Sequence, residues 1–116
     1  MPSMTGGHTL VNALISEGVD VVFAVPGVQI MNIYDGFYNH PEIQLITTRH
    51  EQTAAFMADG YARSTGKIGV ALVVPGPGIY NTGAALTTAY STSSPVLLLA
   101  GEIDSAQIGK GRGQLH

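Results

Sequence analysis

At 116 residues the chain is one domain at most, large enough to bury roughly two-thirds of the surface its unfolded form would expose. Only 11% of residues are charged, against roughly 25% in an average soluble domain, and 45% are hydrophobic, yet no apolar run approaches the ~20 residues that span a bilayer. A net charge of −3 argues against a nucleic-acid partner, and the absence of cysteine excludes disulfides, thiolate catalysis and cysteine-based metal sites. The N-terminus lacks a basic start followed by an apolar core, so no signal peptide is expected and the cytoplasm is the default compartment. So little charge implies that part of the surface is meant for burial against protein, since interface cores are depleted in Lys, Glu and Asp.

Periodicity predicts a regular alternation of helix and strand. Leu10, Val11, Leu14 and Ile15 recur at helical spacing, with Gly18 as a stop. Val19 to Val25 then reads as a strand, broken at Pro26-Gly27. Ile30, Met31, Ile33, Tyr34 and Phe37 predict a second helix before Pro41, with Met31 and Met57 read as core packing. Ile43 to Thr48 is the next strand, and His50 to Ser64 the next helix, with Gly66 beyond it. Ile68 to Val74 is a third strand, ended by Pro75-Gly76-Pro77-Gly78. Residues 80–92 predict one helix, and Pro95 to Ala100 a fourth strand.

Strands that are apolar on both faces and separated by helices imply an α/β fold, an open parallel sheet with helices on both faces. The segment Gly109-Lys110-Gly111-Arg112-Gly113 reads as a mobile loop. Because the alternation stops in a loop just past a strand, the chain is expected to be an excerpt of a longer polypeptide.

Three strand-to-helix loops carry the candidate chemistry. Glu51 falls just inside the helix that follows the second strand. Thr48-x-x-Glu51 fits a capping box, and caps are common where catalytic carboxylates are rare, so the local pattern alone favours a cap. His50 is expected at the surface, with no nucleophile in a triad-like context. Gly76-Pro77-Gly78 suggests a phosphate cradle, but Pro77 lacks an N–H and the spacing to Gly83 misses the dinucleotide fingerprint. A glycine-flanked proline is better suited to letting a flat ring approach backbone. Pro26-Gly27 alone is an ordinary turn. All three loops follow strands of one parallel sheet, so they are expected along a single edge, where such sheets bind ligands. The four histidines show no metal-site spacing.

Taken together these residues resemble the N-terminal, pyrimidine-binding domain of thiamine-diphosphate-dependent enzymes, with greatest similarity to the acetolactate synthase and 2-keto-acid decarboxylase group. The matching stretches are Val22-Phe23-Ala24-Val25-Pro26-Gly27, Arg49-His50-Glu51-Gln52, Ala58-Asp59-Gly60-Tyr61-Ala62-Arg63, Gly76-Pro77-Gly78 with Asn81, Ser94-Pro95-Val96 and Ala100-Gly101. The match runs from about Thr9 to Gln114 and implies a truncated thiamine-diphosphate-binding fold over residues 1–116.

The resemblance implies that Glu51 is catalytic, hydrogen-bonding N1′ of the cofactor's aminopyrimidine ring and activating it for ylid formation. It further implies that Pro26, Gly27, Pro77 and Asn81 contact or shape the cofactor pocket. Val28 and Gln114 fall at substrate-side positions. Val28 stands where the synthases usually carry glycine, Val74 where some decarboxylases have histidine, and Gly113 where a phenylalanine is usual; Arg112 also departs from the synthase pattern.

No Gly-Asp-Gly occurs in the chain, so the resemblance assigns the diphosphate and its Mg2+ to a separate domain and no metal ligand to this one. It implies a homodimeric or homotetrameric partner subunit and a 2-keto acid substrate, with the isolated chain inactive. The alternatives are a non-catalytic interaction domain of the same fold and, less favoured, a nicotinamide-dependent oxidoreductase.

Overall fold

The computed structural model describes residues 3–112. Helix α1 (Gly6–Ser16) leads to strand β1 (Val21–Ala24), a 3-10 turn (Val28–Ile30) and helix α2 (Met31–Phe37). Strand β2 (Gln44–Thr47), helix α3 (Glu51–Thr65) and strand β3 (Gly69–Val73) follow, then helices α4 (Pro77–Asn81) and α5 (Gly83–Ser91) and strand β4 (Val96–Ala100). The four strands form one parallel sheet in the order β2-β1-β3-β4.

Alternation along the strands decides which helices cover which face. Val22, Ala24, Val70 and Leu72 meet Val11 and Leu14 of α1 and Phe37 of α2 on one side. Val21, Phe23 and Ala71 meet Ala54, Ala55 and Ala58 of α3 and Ala85 of α5 on the other. Apart from Asp59, the buried residues of α3 are alanines, which draw the helix close to the sheet. A Cβ at Gly69 would overlap the Ala58 carbonyl, so only glycine fits where β3 begins beneath it. Gly66 ends α3 in the left-handed conformation at φ 72°, as expected of a helix stop.

The parallel sheet and both helix layers agree with the sequence reading, with three corrections. The apolar pattern overestimates the strands by one or two residues at each end, except at Ala100, where the end of the fourth strand agrees. Only β1 and β3 are buried along their whole length, because β2 and β4 lie at the edges of the sheet. The stretch 80–92 is not one helix: α4 begins at Pro77 and ends at Asn81, and α5 starts after the buried Thr82, whose hydroxyl donates to the Ile79 carbonyl over 2.6 Å. Met31 is 62% exposed and Met57 36%, so neither is core. Both lie on helix flanks turned away from the sheet, where helical spacing alone cannot distinguish them from packed residues.

Close packing between α1 and α2 rests on Gly7, where a Cβ would overlap the carbonyl of Asn32. Gly7→Ala is expected to force the helices apart at a cost of about 1–3 kcal/mol, read from the denaturant midpoint. An unchanged midpoint would contradict this packing.

At the amino edge of the sheet, Asp20 accepts hydrogen bonds from Tyr61 and, over 2.6 Å, from the Lys67 ammonium. The Lys67 and Tyr61 hydrogen bonds hold the Asp20 carboxyl below its ordinary range, and the bond to Asp20 holds Lys67 above its own. A depressed carboxyl contributes stability above its unfolded value that disappears as pH falls through the folded value. A raised amine contributes below its unfolded value and ceases as pH rises through the folded one. The tie is therefore intact across neutral pH and fails at both extremes. Asp20→Asn should flatten the acid limb of the stability–pH curve below the ordinary aspartate value of 3.8; an unaltered acid limb would show that Asp20 carries none of it. Both groups are about half exposed, which keeps the effect small.

Candidate functional site

Because all strands are parallel, the four loops that follow them lie along one edge. Strand order reverses between β1 and β3, the place where open α/β sheets leave a crevice. Pairing continues one step past the strands: Val25 N–H bonds to Leu72 O at 3.2 Å, Thr48 N–H to Ala24 O at 2.8 Å and Gly101 N–H to Val73 O at 3.3 Å. These bonds hold the loops carrying Pro26, Glu51 and Glu102 in fixed relation.

The capping box does not form. His50 is the N-cap of α3, with extended backbone at φ −146° and ψ 139°, and its Nδ1 accepts the Gln52 N–H at 3.1 Å. The Thr48 hydroxyl instead donates to the His50 carbonyl at 3.0 Å. Glu51, the first residue of α3 and half-buried, is thereby released from capping. Its Oε2 accepts from Asn81 Nδ2 at 2.9 Å. The helix dipole favours a carboxylate there. Since β2 and β3 flank β1, the Glu51–Asn81 bond joins elements on either side of the β1 loop. Thirty residues separate the partners, so no local pattern announced their pairing.

Pro77 occupies the first turn of α4, where a missing N–H costs nothing. Gly76 precedes it at φ 60° and ψ −113°, a conformation open essentially to glycine alone. Gly27 and Gly78 both stand against one side chain of the β3 loop. A Cβ at Gly27 would overlap Val74 Cγ1, and one at Gly78 would lie 2.9 Å from Val74 Cγ2. Val74 thus fills the space both glycines leave, and this clamp fixes the spacing between the β1 and β3 loops.

On the α2 side of these loops opens a cleft of about 830 Å³. Pro26, Gly27, Val28 and Val74 line it together with Glu102 and Asp104, and Val28 is 79% exposed. Glu51, Pro77 and Asn81 do not line this cleft. The sequence-predicted residues therefore divide into two neighbouring groups, Glu51 with Asn81 and Pro26 with Gly27 and Val28. Gln114 lies outside the described residues. Sequence reasoning did not group the loop after β4 with the other three. The available signal was Gly101, where a Cβ would lie 2.5 Å from the Gln29 carbonyl and 2.6 Å from Ile30 Cγ2, pressing that loop against the 3-10 turn. Among the described residues no three histidine, cysteine or acidic side chains are grouped to hold a metal ion, and no helix is long and apolar enough to cross a membrane.

A family model described as "Thiamine pyrophosphate enzyme, N-terminal TPP binding domain" matches residues 4–116. The chain belongs to this family. Among curated relatives of this TPP-enzyme domain, the Probable 2-ketoarginine decarboxylase AruI of Pseudomonas aeruginosa is 46% identical over 114 residues, 98% of this chain and 20% of that protein. The acetolactate synthase large subunit of Haemophilus influenzae is 44% identical over 109 residues, 94% of this chain and 19% of its own length. The isozyme 3 large subunit of Escherichia coli acetolactate synthase is 41% identical with the same coverage, 94% and 19%. The TPP-enzyme domain thus spans about one-fifth of the length of these relatives.

Proposed function

We propose that this chain is the pyrimidine-binding domain of a thiamine-diphosphate-dependent lyase or carboligase acting on 2-keto acids. In this reading the domain is one part of a longer protein. The observation that carries the proposal is the Glu51–Asn81 pair at the carboxyl edge of the sheet, beside the Pro26–Gly27 loop. A half-buried carboxylate at a helix start, with one oxygen held by an amide, suits a partner that shares a proton with a weak ring base.

Thiamine diphosphate, when bound, supplies the carbon nucleophile and the electron sink for loss of carbon dioxide from a 2-keto acid. Glu51 holds or shares a proton at N1′ of the aminopyrimidine, and Asn81 fixes the carboxylate that does so. Pro26, Gly27 and Pro77 shape the ring pocket, while Val28 and Gln114 stand on the substrate side. The diphosphate and its Mg2+ are held by a domain outside this chain. The pocket is completed across a homodimer or homotetramer in the cytoplasm, so the isolated chain has no turnover and binds the cofactor weakly.

The test uses a protein of the relatives' length that carries this domain. Release of carbon dioxide from pyruvate or a longer 2-keto acid is expected only with added thiamine diphosphate and Mg2+. Tight cofactor binding without turnover of any 2-keto acid would favour a non-catalytic role. Asn81→Ala is expected to lower kcat less than loss of Glu51 itself, because the carboxylate remains but is no longer fixed; a larger loss than Glu51→Gln would contradict the assigned order.

A further inference from the structure

Asn81 reaches Glu51 from an exposed position. It is the last residue of the five-residue helix α4, and Tyr80 before it is 85% exposed. Thr82 comes immediately after it, fully buried and standing between α4 and α5. Two bonds from Thr82 reach back to one acceptor. Its N–H meets the Ile79 carbonyl at 3.0 Å, and its hydroxyl donates to the same oxygen at 2.6 Å. Tyr80 and Asn81 are the residues enclosed by that double closure. A hydroxyl bonded three residues back competes with the helical ladder and bends or ends a helix at that point. A Cβ at Gly83 would meet nothing within 4 Å, so no close approach at the next residue dictates the break.

We infer that Thr82 is a positioning residue for the site: its buried hydroxyl fixes the turn that aims the Asn81 amide at Glu51. The part this pair plays in turnover rests on the proposed thiamine-diphosphate reading, whereas the aim of Asn81 does not. A fully buried side chain cannot shift without disturbing the close-packed interior, and a buried hydroxyl needs a partner. Those two demands hold the last turn of α4 in one arrangement, and the Asn81 amide, 2.9 Å from Glu51 Oε2, shares it. The hydroxyl and the methyl group of Thr82 can be tested apart. Thr82→Val keeps the shape and removes the donor, while the Ile79 carbonyl retains its N–H bond and is not stranded. Thr82→Ser keeps the donor and leaves a methyl-sized gap in the packing. If Thr82 served packing alone, serine would be the more harmful change for stability and activity alike. A positioning role reverses that order for activity.

The experiment uses a protein of the relatives' length. Thr82→Val is expected to lower kcat for thiamine-dependent turnover of a 2-keto acid roughly five- to tenfold, close to the loss from Asn81→Ala. Thr82→Ser should stay within about twofold of the unaltered protein in kcat, despite a lower denaturant midpoint. On an Asn81→Ala background, Thr82→Val should cost less than about twofold, because its effect passes through Asn81. Crystal structures of both variants without cofactor supply a second readout. The separation of Asn81 Nδ2 from Glu51 Oε2 should exceed about 3.5 Å in Thr82→Val and stay within hydrogen-bond range in Thr82→Ser. Unaltered kcat in Thr82→Val, an undiminished loss on the Asn81→Ala background, or an unchanged separation in Thr82→Val overturns the inference. Absence of turnover with every 2-keto acid sinks the proposed function instead, and the separation in the two crystal structures then decides the role of Thr82.

Discussion

Glu51→Gln is expected to lower thiamine-dependent turnover by roughly 10²–10⁴-fold, the range by which a positioned proton-transfer group accelerates reactions. The fold should survive the change. A glutamine carbonyl can still accept the Asn81 amide, and His50 rather than Glu51 caps the helix. The loss should therefore appear in kcat with little shift in the denaturant midpoint. Near-normal turnover would end the assignment of Glu51 as the proton partner. A large fall in stability would instead return it to a capping role, which the geometry of Thr48 and His50 gives no reason to expect.

The second large effect is expected at the Val74 clamp. Gly27→Ala places a methyl group where Val74 Cγ1 already sits, so the β1 loop must move away from the β3 loop. That displacement shifts Pro26 relative to Glu51 and Asn81, and a misplacement of about 1 Å is enough to cost roughly 10²-fold in a positioned reaction. Val74→Ala removes the obstructing methyl groups. The double variant Gly27→Ala/Val74→Ala is therefore expected to recover at least tenfold of the turnover lost by Gly27→Ala, at the expense of some packing. If Gly27→Ala is harmless, or if the second substitution gives no recovery, the clamp does not set the spacing of the loops.

The sequence made the central site legible as far as single loops allow. Pro26-Gly27, Glu51 and Pro77 each stand directly after an apolar run, so their common edge followed from the parallel arrangement alone. What stayed hidden depends on side chains meeting across the sheet. Thr48-x-x-Glu51 satisfies the capping pattern, yet His50 takes the cap because its ring nitrogen reaches the Gln52 N–H first, two residues along the chain. The Glu51–Asn81 bond joins loops that the strand order separates, and nothing local to either residue encodes it. Gly27 and Gly78 read as separate turns, and nothing local shows that Val74, adjacent to neither, packs against both. The acidic wall at Glu102 and Asp104 is visible only once Gly101 brings its loop against the 3-10 turn. Met31 and Met57 failed for the opposite reason, since helical spacing marks a stripe without saying which flank meets the sheet.

The most direct test of the account is a crystal structure of the relatives'-length protein with thiamine diphosphate bound, read at one distance. The account predicts a hydrogen bond between the Glu51 carboxylate and N1′ of the aminopyrimidine, with Asn81 still donating to the other side of that carboxylate. A cofactor whose N1′ faces a different residue, with Glu51 bonded to Asn81 alone, would contradict it.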